Sequence, residues 1–152
     1  MKYWLAKTEP DVYSIDDLAR DGKTLWTAVR NYQARNFLRE MKRKDLVLIY
    51  HSNAEPPGLA GIAEVSEEDM ADPTQFDKAG EYYDPKATRE QPRWFCPEVR
   101  FMKKLPELVS LDRLRLHKSL EGLLLLQKGS RLSVIPVSKE HFHAMLELSK
   151  VK

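Results

Sequence analysis

The chain has 152 residues, 42% hydrophobic and 32% charged, which is the composition of a single folded domain (1–152) with its own core and not that of a disordered or fibrous chain. A formal charge of +2 and a pI near 8.6 exclude a polycation that binds through total charge, yet leave room for a local basic patch. Cys96 is the single cysteine, which excludes an intramolecular disulfide and suits a reducing compartment.

Residues 3–7 read as a short strand ending at Thr8-Glu9-Pro10. Ser14 and Asp17 have capping-box spacing, so a helix is predicted to Arg20, stopped by Gly22. A second helix opens at Asn31, a good N-cap, with Ala34, Phe37, Leu38 and Met41 at the spacing of one buried face. It ends in the charged turn 42–45. Residues 46–50 form a continuous apolar run, predicted as a central strand buried on both faces. His51, Ser52 and Asn53 leave it into a loop holding Pro56, Pro57 and Gly58. A strand is predicted over 59–65, where Gly61 implies a bulge or a close approach.

Residues 66–91 are acidic and turn-rich and read as a long excursion with one helical turn. A strand follows over 94–102, with Pro97 implying an edge or a bulge. Two short helices are predicted over 110–116 and 120–126, the second stopped by Gly129. Residues 131–137 read as a strand, and Ser138 caps a last helix to about residue 149. Strands and helices in irregular order predict an α+β fold built on a small curved sheet or barrel. No apolar run approaches the roughly 20 residues needed to span a bilayer, and the start is charged too early for a signal peptide. A cytoplasmic setting is expected.

Residues 26–36 concentrate the chemistry. Trp26, Arg30, Asn31, Tyr32, Gln33, Arg35 and Asn36 fall within one turn and the opening of one helix, which suits an anionic, planar, hydrogen-bonding ligand such as a nucleotide. The competing reading is an ordinary solvated helix face. Trp4, Trp26 and Trp94 lie near element boundaries, where a large ring can stack on a base or simply fill a core. Arg30, Arg35, Arg39, Lys42 and Arg43 supply charge for phosphates, and Asn31, Gln33, Asn36, Ser52 and Asn53 carry groups that read a base edge. No metal site or cofactor is expected. His51, His117, His141 and His143 show no ligand spacing, and no CxxC, HExxH or Gly-rich phosphate loop occurs. Cys96 reads as an inert strand residue. The carboxylates Glu67, Glu68 and Asp69 read as a solvated run.

Several segments together resemble the EVE-domain family: residues 3–10, Tyr13-Ser14, 26–36, 50–53, 61–63, Asp84-Pro85, 92–94 and 129–133. They cover essentially the whole chain in family order. Thr8 stands where the family usually has Ser, and Ala28 where Gly is usual, which matters if that turn needs positive φ. The resemblance implies a PUA-like fold, a compact curved β-barrel of five to six strands flanked by short helices, related to the YTH readers of methylated adenine. It also implies non-catalytic binding of nucleic acid through a modified base, chiefly modified cytosine in DNA, with RNA left open. The base would leave its stack for a pocket. That pocket is expected to be lined by Trp26, Val29, Asn31, Tyr32, Tyr50, His51, Ser52 and Asn53, with Lys7, Glu9, Trp94, Ser130 and Arg131 at its floor or rim. Trp26 is assigned as stacker, Asn31 and Ser52 as edge readers, and Arg30 and Arg35 as phosphate contacts. Two alternatives stay open: an enzyme acting on a modified base or nucleotide, with Glu9 or His51 as general acid or base, and a binder of a small anionic metabolite.

Overall fold

The computed structural model describes residues 1–127 and 131–150. Its strands are β1 (Tyr3–Thr8), β2 (Lys23–Leu25), β3 (Leu46–His51), β4 (Gly58–Ala71), β5 (Phe95–Ser110) and β6 (Val134–Val137); its helices are α1 (Ile15–Asp21), α2 (Tyr32–Glu40), α3 (Leu111–Arg115) and α4 (Lys139–Lys150). The strands form one mixed sheet in the order β2-β5-β4-β3-β1-β6. β1 and β3 are parallel, with Tyr3 opposite Leu46 and Thr8 opposite His51; the other neighbours are antiparallel.

The expected barrel is an open sheet: among the described residues β2 and β6 stand at opposite ends of the order and do not pair. Short outer strands account for this. β2 has three residues, and β6 has four and includes Pro136, which has no N–H to give a ladder.

Side chains alternate across β1 and β3 and divide the interior in two. Trp4, Ala6, Val47 and Ile49 join Ile15, Leu18, Trp26, Ala34 and Leu38 on one face. Leu5, Leu48 and Tyr50 join Leu114, Leu120, Ile135 and Phe142 on the other. Both faces are covered, which explains why 46–50 is apolar without alternation.

Local signals are realised where neighbouring residues suffice. Ser14 and Asp17 form the reciprocal capping box, and Gly22 ends α1 at φ 82. Asn31 caps α2 by accepting from the Ala34 amide. Gly61 sits beside a bulge, and a Cβ there would lie 2.4 Å from Ile15 Cδ1. Both meanings read for that glycine hold.

Other boundaries move. β4 runs on to Ala71 because bulges carry it past Val65, with Asp69 at φ 46. The acidic run thus lies on a strand, where its lost alternation disguised it. Pro97 faces that irregular stretch, between the pairs Glu67–Glu98 and Met70–Cys96. β5 reaches Ser110 instead of ending at residue 102. The predicted helix over 120–126 is two 3-10 turns, Lys118–Leu120 and Leu124–Leu126, separated by Gly122 at φ 88. β2 was not foreseen, since three residues show no period. The Gly129 stop lies outside the described residues. Among the described residues no helix is long and apolar enough to cross a membrane.

Candidate nucleic-acid interface

Parallel pairing brings the carboxyl ends of β1 and β3 together, and the segments leaving them interlock. The Ser52 amide donates to the Thr8 carbonyl at 2.9 Å. Asn53, at φ 49, donates from Nδ2 to Glu9 Oε1 at 2.9 Å. His51 Nε2 accepts from the Ile15 amide at 3.1 Å, so the ring satisfies a free donor at the start of α1. Burial pulls the His51 pKa below its ordinary value, and Lys104 adds to that while Asp16 opposes it. The neutral ring therefore carries its proton on Nδ1.

Beside this junction is a cavity of about 270 Å³ lined by Thr8, Val12, Tyr13, Thr24, Leu25, Trp26, Thr27, Ala28, Thr74 and Tyr82. Pockets for drug-sized ligands span about 300–1,000 Å³, so this one suits a single planar ring. Trp26 is 8% exposed, and its amide continues the β2–β5 ladder by donating to Pro97 O at 3.0 Å. Its indole is thereby fixed before any ligand arrives. The hydroxyls of Thr27 and Tyr82 make no hydrogen bond within the described protein and are available to a ligand edge.

Asp72 holds the far wall. It is 2% exposed, and its Oδ2 accepts from the Ala28 amide at 2.8 Å and Arg30 Nη1 at 3.1 Å. Its Oδ1 accepts from the Thr74 amide at 2.8 Å and the Thr74 hydroxyl at 2.6 Å. Ala28 has φ 73, so the turn does demand the conformation glycine adopts freely.

Arg30 spends its remaining donors inside the protein, on Thr74 Oγ1, Val29 O and Tyr82 O. It also lies 5.0 Å from the Trp94 ring centroid. Tyr32 stacks on Trp94 with centroids 4.9 Å apart and planes inclined by 15°, and Arg93 bonds the Tyr32 hydroxyl. Trp94 Nε1 donates to Asp84 Oδ2 at 2.8 Å, the leading cause that holds this carboxyl below the usual range. Arg35 grips Arg93 O at 2.9 Å and Asn36 Oδ1 and lies over the Tyr32 ring.

A sequence profile for the EVE domain matches residues 2–148. The chain belongs to the EVE-domain family. Thymocyte nuclear protein 1 of Rattus norvegicus is 38% identical over 168 residues, covering 99% of this chain and 74% of the rat protein. A crystal structure of a Pseudomonas syringae protein is 46% identical with a TM-score of 0.93, covering 97% of this chain and 99% of that one. Human THYN1 protein in complex with DNA containing 5-methylcytosine is 35% identical with a TM-score of 0.93, covering 100% of this chain and 99% of the human one. The fold is accordingly α+β and PUA-like, on an open sheet.

In this EVE domain the expected pocket residues separate into groups. Only Trp26 lines the cavity itself. His51, Ser52, Asn53 and Glu9 adjoin it through Thr8. Arg30, Tyr32, Arg35 and Trp94 form a packed cluster behind Thr74 and Tyr82. Arg30 is therefore an internal clamp, contrary to its assignment as a phosphate contact, because Asp72 and three oxygen acceptors hold it. Arg35 is likewise tied to Arg93 and Asn36, and Trp94 is 6% exposed, so neither its ring nor that guanidinium is a rim group. Asn31 spends its side-chain oxygen on the α2 cap, and Val29 packs against the core.

Tyr50 is a correction of a different kind. Alternation sends it to the opposite face of the sheet from His51, into the second core, and Lys7 follows Leu5 to that same face. Arg131 is exposed, and Ser130 lies outside the described residues. The charge expected of α2 is also spoken for. Arg39 bonds Asp69 at 2.9 Å, Arg43 bonds Glu67 at 2.7 Å and Lys42 lies 3.6 Å from Glu68. The acidic run is thus the counter-charge of α2 and not a separate solvated stretch. Thr8, Thr27, Asp72, Thr74 and Tyr82 went unrecognised. The Asp72-Pro73-Thr74 turn was a local signal for an Asx turn, but it does not name the arginine it binds.

Proposed function

We propose that this chain is a non-catalytic reader of modified cytosine in DNA, holding the extruded base in the Trp26 cavity. One observation carries the reading: a ring-sized cavity with a fixed indole and unengaged hydroxyls, in an EVE domain whose human structural neighbour is in complex with DNA containing 5-methylcytosine. Trp26 would supply the stacking surface, and Thr27 and Tyr82 would face the base edge. The prior engagement of His51 with α1 and of Glu9 with Asn53 weighs against the enzyme reading. The setting we propose is cytoplasmic, supported by the lone buried thiol of Cys96, which burial pushes up to about 12.

The test is a tryptophan-fluorescence titration with single- and double-stranded oligonucleotides carrying plain, methylated or hydroxymethylated cytosine, or methylated adenine, at two salt concentrations. Saturable quenching that favours modified cytosine supports the reading. Equal affinity for every strand reduces the protein to a generic nucleic-acid binder. Mononucleotide binding as tight as oligonucleotide binding, with little salt dependence, would replace it with a metabolite binder.

A further inference from the structure

The cations that α2 presents are paired with carboxylates, which leaves open where a DNA strand would be gripped. The opposite face of the sheet, at the same carboxyl ends of β1 and β3, offers an answer. Lys7 and Tyr50 are cross-strand partners in the parallel ladder, so their side chains leave the sheet on the same side. Lys7 is half-buried, and among the described residues no carboxylate pairs with it. Tyr50 is 3% exposed and its hydroxyl makes no hydrogen bond within the described protein. No fully enclosed polar side-chain atom lacks a partner, so that hydroxyl opens to solvent. Arg115, from the end of α3, lies close enough for its charge to act on the Tyr50 phenol. It too has no carboxylate partner among the described residues. It continues into a cavity of about 450 Å³ whose lining includes His117, Lys118 and one carboxylate, Glu121.

We infer that Lys7, the Tyr50 hydroxyl and Arg115 form a phosphate site that holds the DNA backbone on the face of the sheet opposite the base pocket. This rests on the proposed reading that the protein binds DNA, and adds which groups carry the sequence-independent part of binding. The geometry is that of a strand crossing the end of the sheet. The Trp26 cavity lies on the Thr8 side, and the two cations lie on the Lys7 side, one residue away along β1. Half-burial of Lys7 lowers its pKa from the ordinary value, as expected for an ammonium held without a counter-ion. A phosphate oxygen would supply that counter-ion, and the phenol would donate a further hydrogen bond.

The experiment compares wild type with Lys7→Gln, Arg115→Gln and Tyr50→Phe, with Lys7→Arg as a charge-preserving variant and Arg39→Gln as a cation already bound by Asp69. Each is titrated with plain, methylcytosine-containing and abasic-site duplexes over a salt series, after circular dichroism shows that it is folded. The inference expects Lys7→Gln and Arg115→Gln to weaken all three duplexes by the same factor. Each should lower the salt slope by about 0.9 per lost phosphate contact. Lys7→Arg should restore the slope, and Arg39→Gln should change it least. Unchanged slopes in both Gln variants overturn the inference, as does a loss confined to the methylated duplex. If wild type fails to prefer the methylated duplex while the slope changes remain, the base-reading proposal fails and the phosphate site stands.

Discussion

Trp26 and Trp94 look alike in the sequence: each is a large ring at an element boundary with arginines nearby. In the fold they do opposite things. Trp94 is stacked by Tyr32 at 4.9 Å, approached by Arg30 at 5.0 Å and hydrogen-bonded to Asp84, so its surface is occupied by the protein itself. Trp26 is almost as buried, but its neighbourhood includes a cavity with free hydroxyls. A ring is available for stacking only when its own chain has left it room. Asp72 joins the two regions, since one carboxylate holds both the Ala28 turn after Trp26 and the Arg30 clamp beside Trp94.

Removing that link should have the largest effect. Asp72→Asn leaves Arg30 and two donors facing an amide, and unfolding free energy in urea should fall by about 3 kcal/mol, in line with other broken buried ion pairs. A loss under 1 kcal/mol would show that the two regions are independently built.

Next is Trp26→Ala, which should cost about 1–3 kcal/mol of binding to a methylcytosine strand and remove its advantage over the plain strand. Unchanged discrimination would sink the stacking role. The counterpart, Trp94→Phe, keeps a ring but loses the bond to Asp84. It should cost about 1 kcal/mol of stability with discrimination intact, read by thermal melts and the same titration.

Ala28→Gly relieves a positive φ and should stabilise by about 1 kcal/mol, provided the strain exceeds glycine's entropy cost. A destabilised variant would show that the turn tolerates its alanine.

The smallest effect concerns pH. His51 has a folded-state pKa below the ordinary 6.5, so the unfolded chain takes up the proton first as pH falls. The stability that its neutral ring contributes is full above about 6.5 and is lost as pH drops from there through the folded value. Melts of wild type and His51→Gln between pH 7.5 and 5.5 should show the variant losing less over that window.

Much of this molecule was legible along the chain. The Ser14 and Asn31 caps, the doubly buried β3, the close approach at Gly61 and the demand on Ala28 each depend on a few adjacent residues and the fixed periods of helix and strand. Those interactions form wherever the chain folds at all. The tertiary structure decided what the reactive groups are free to do. Arg39, Lys42 and Arg43 meet Asp69, Glu68 and Glu67 only because bulges prolong β4 beside α2. Tyr50 and Lys7 part company with His51 and Thr8 because neighbours on a strand point to opposite faces, and only the packing of helices shows which face holds the pocket. Charge and hydrogen-bonding capacity belong to each residue. Availability belongs to the partners that folding brings within about 3 Å, and those lie tens of positions away.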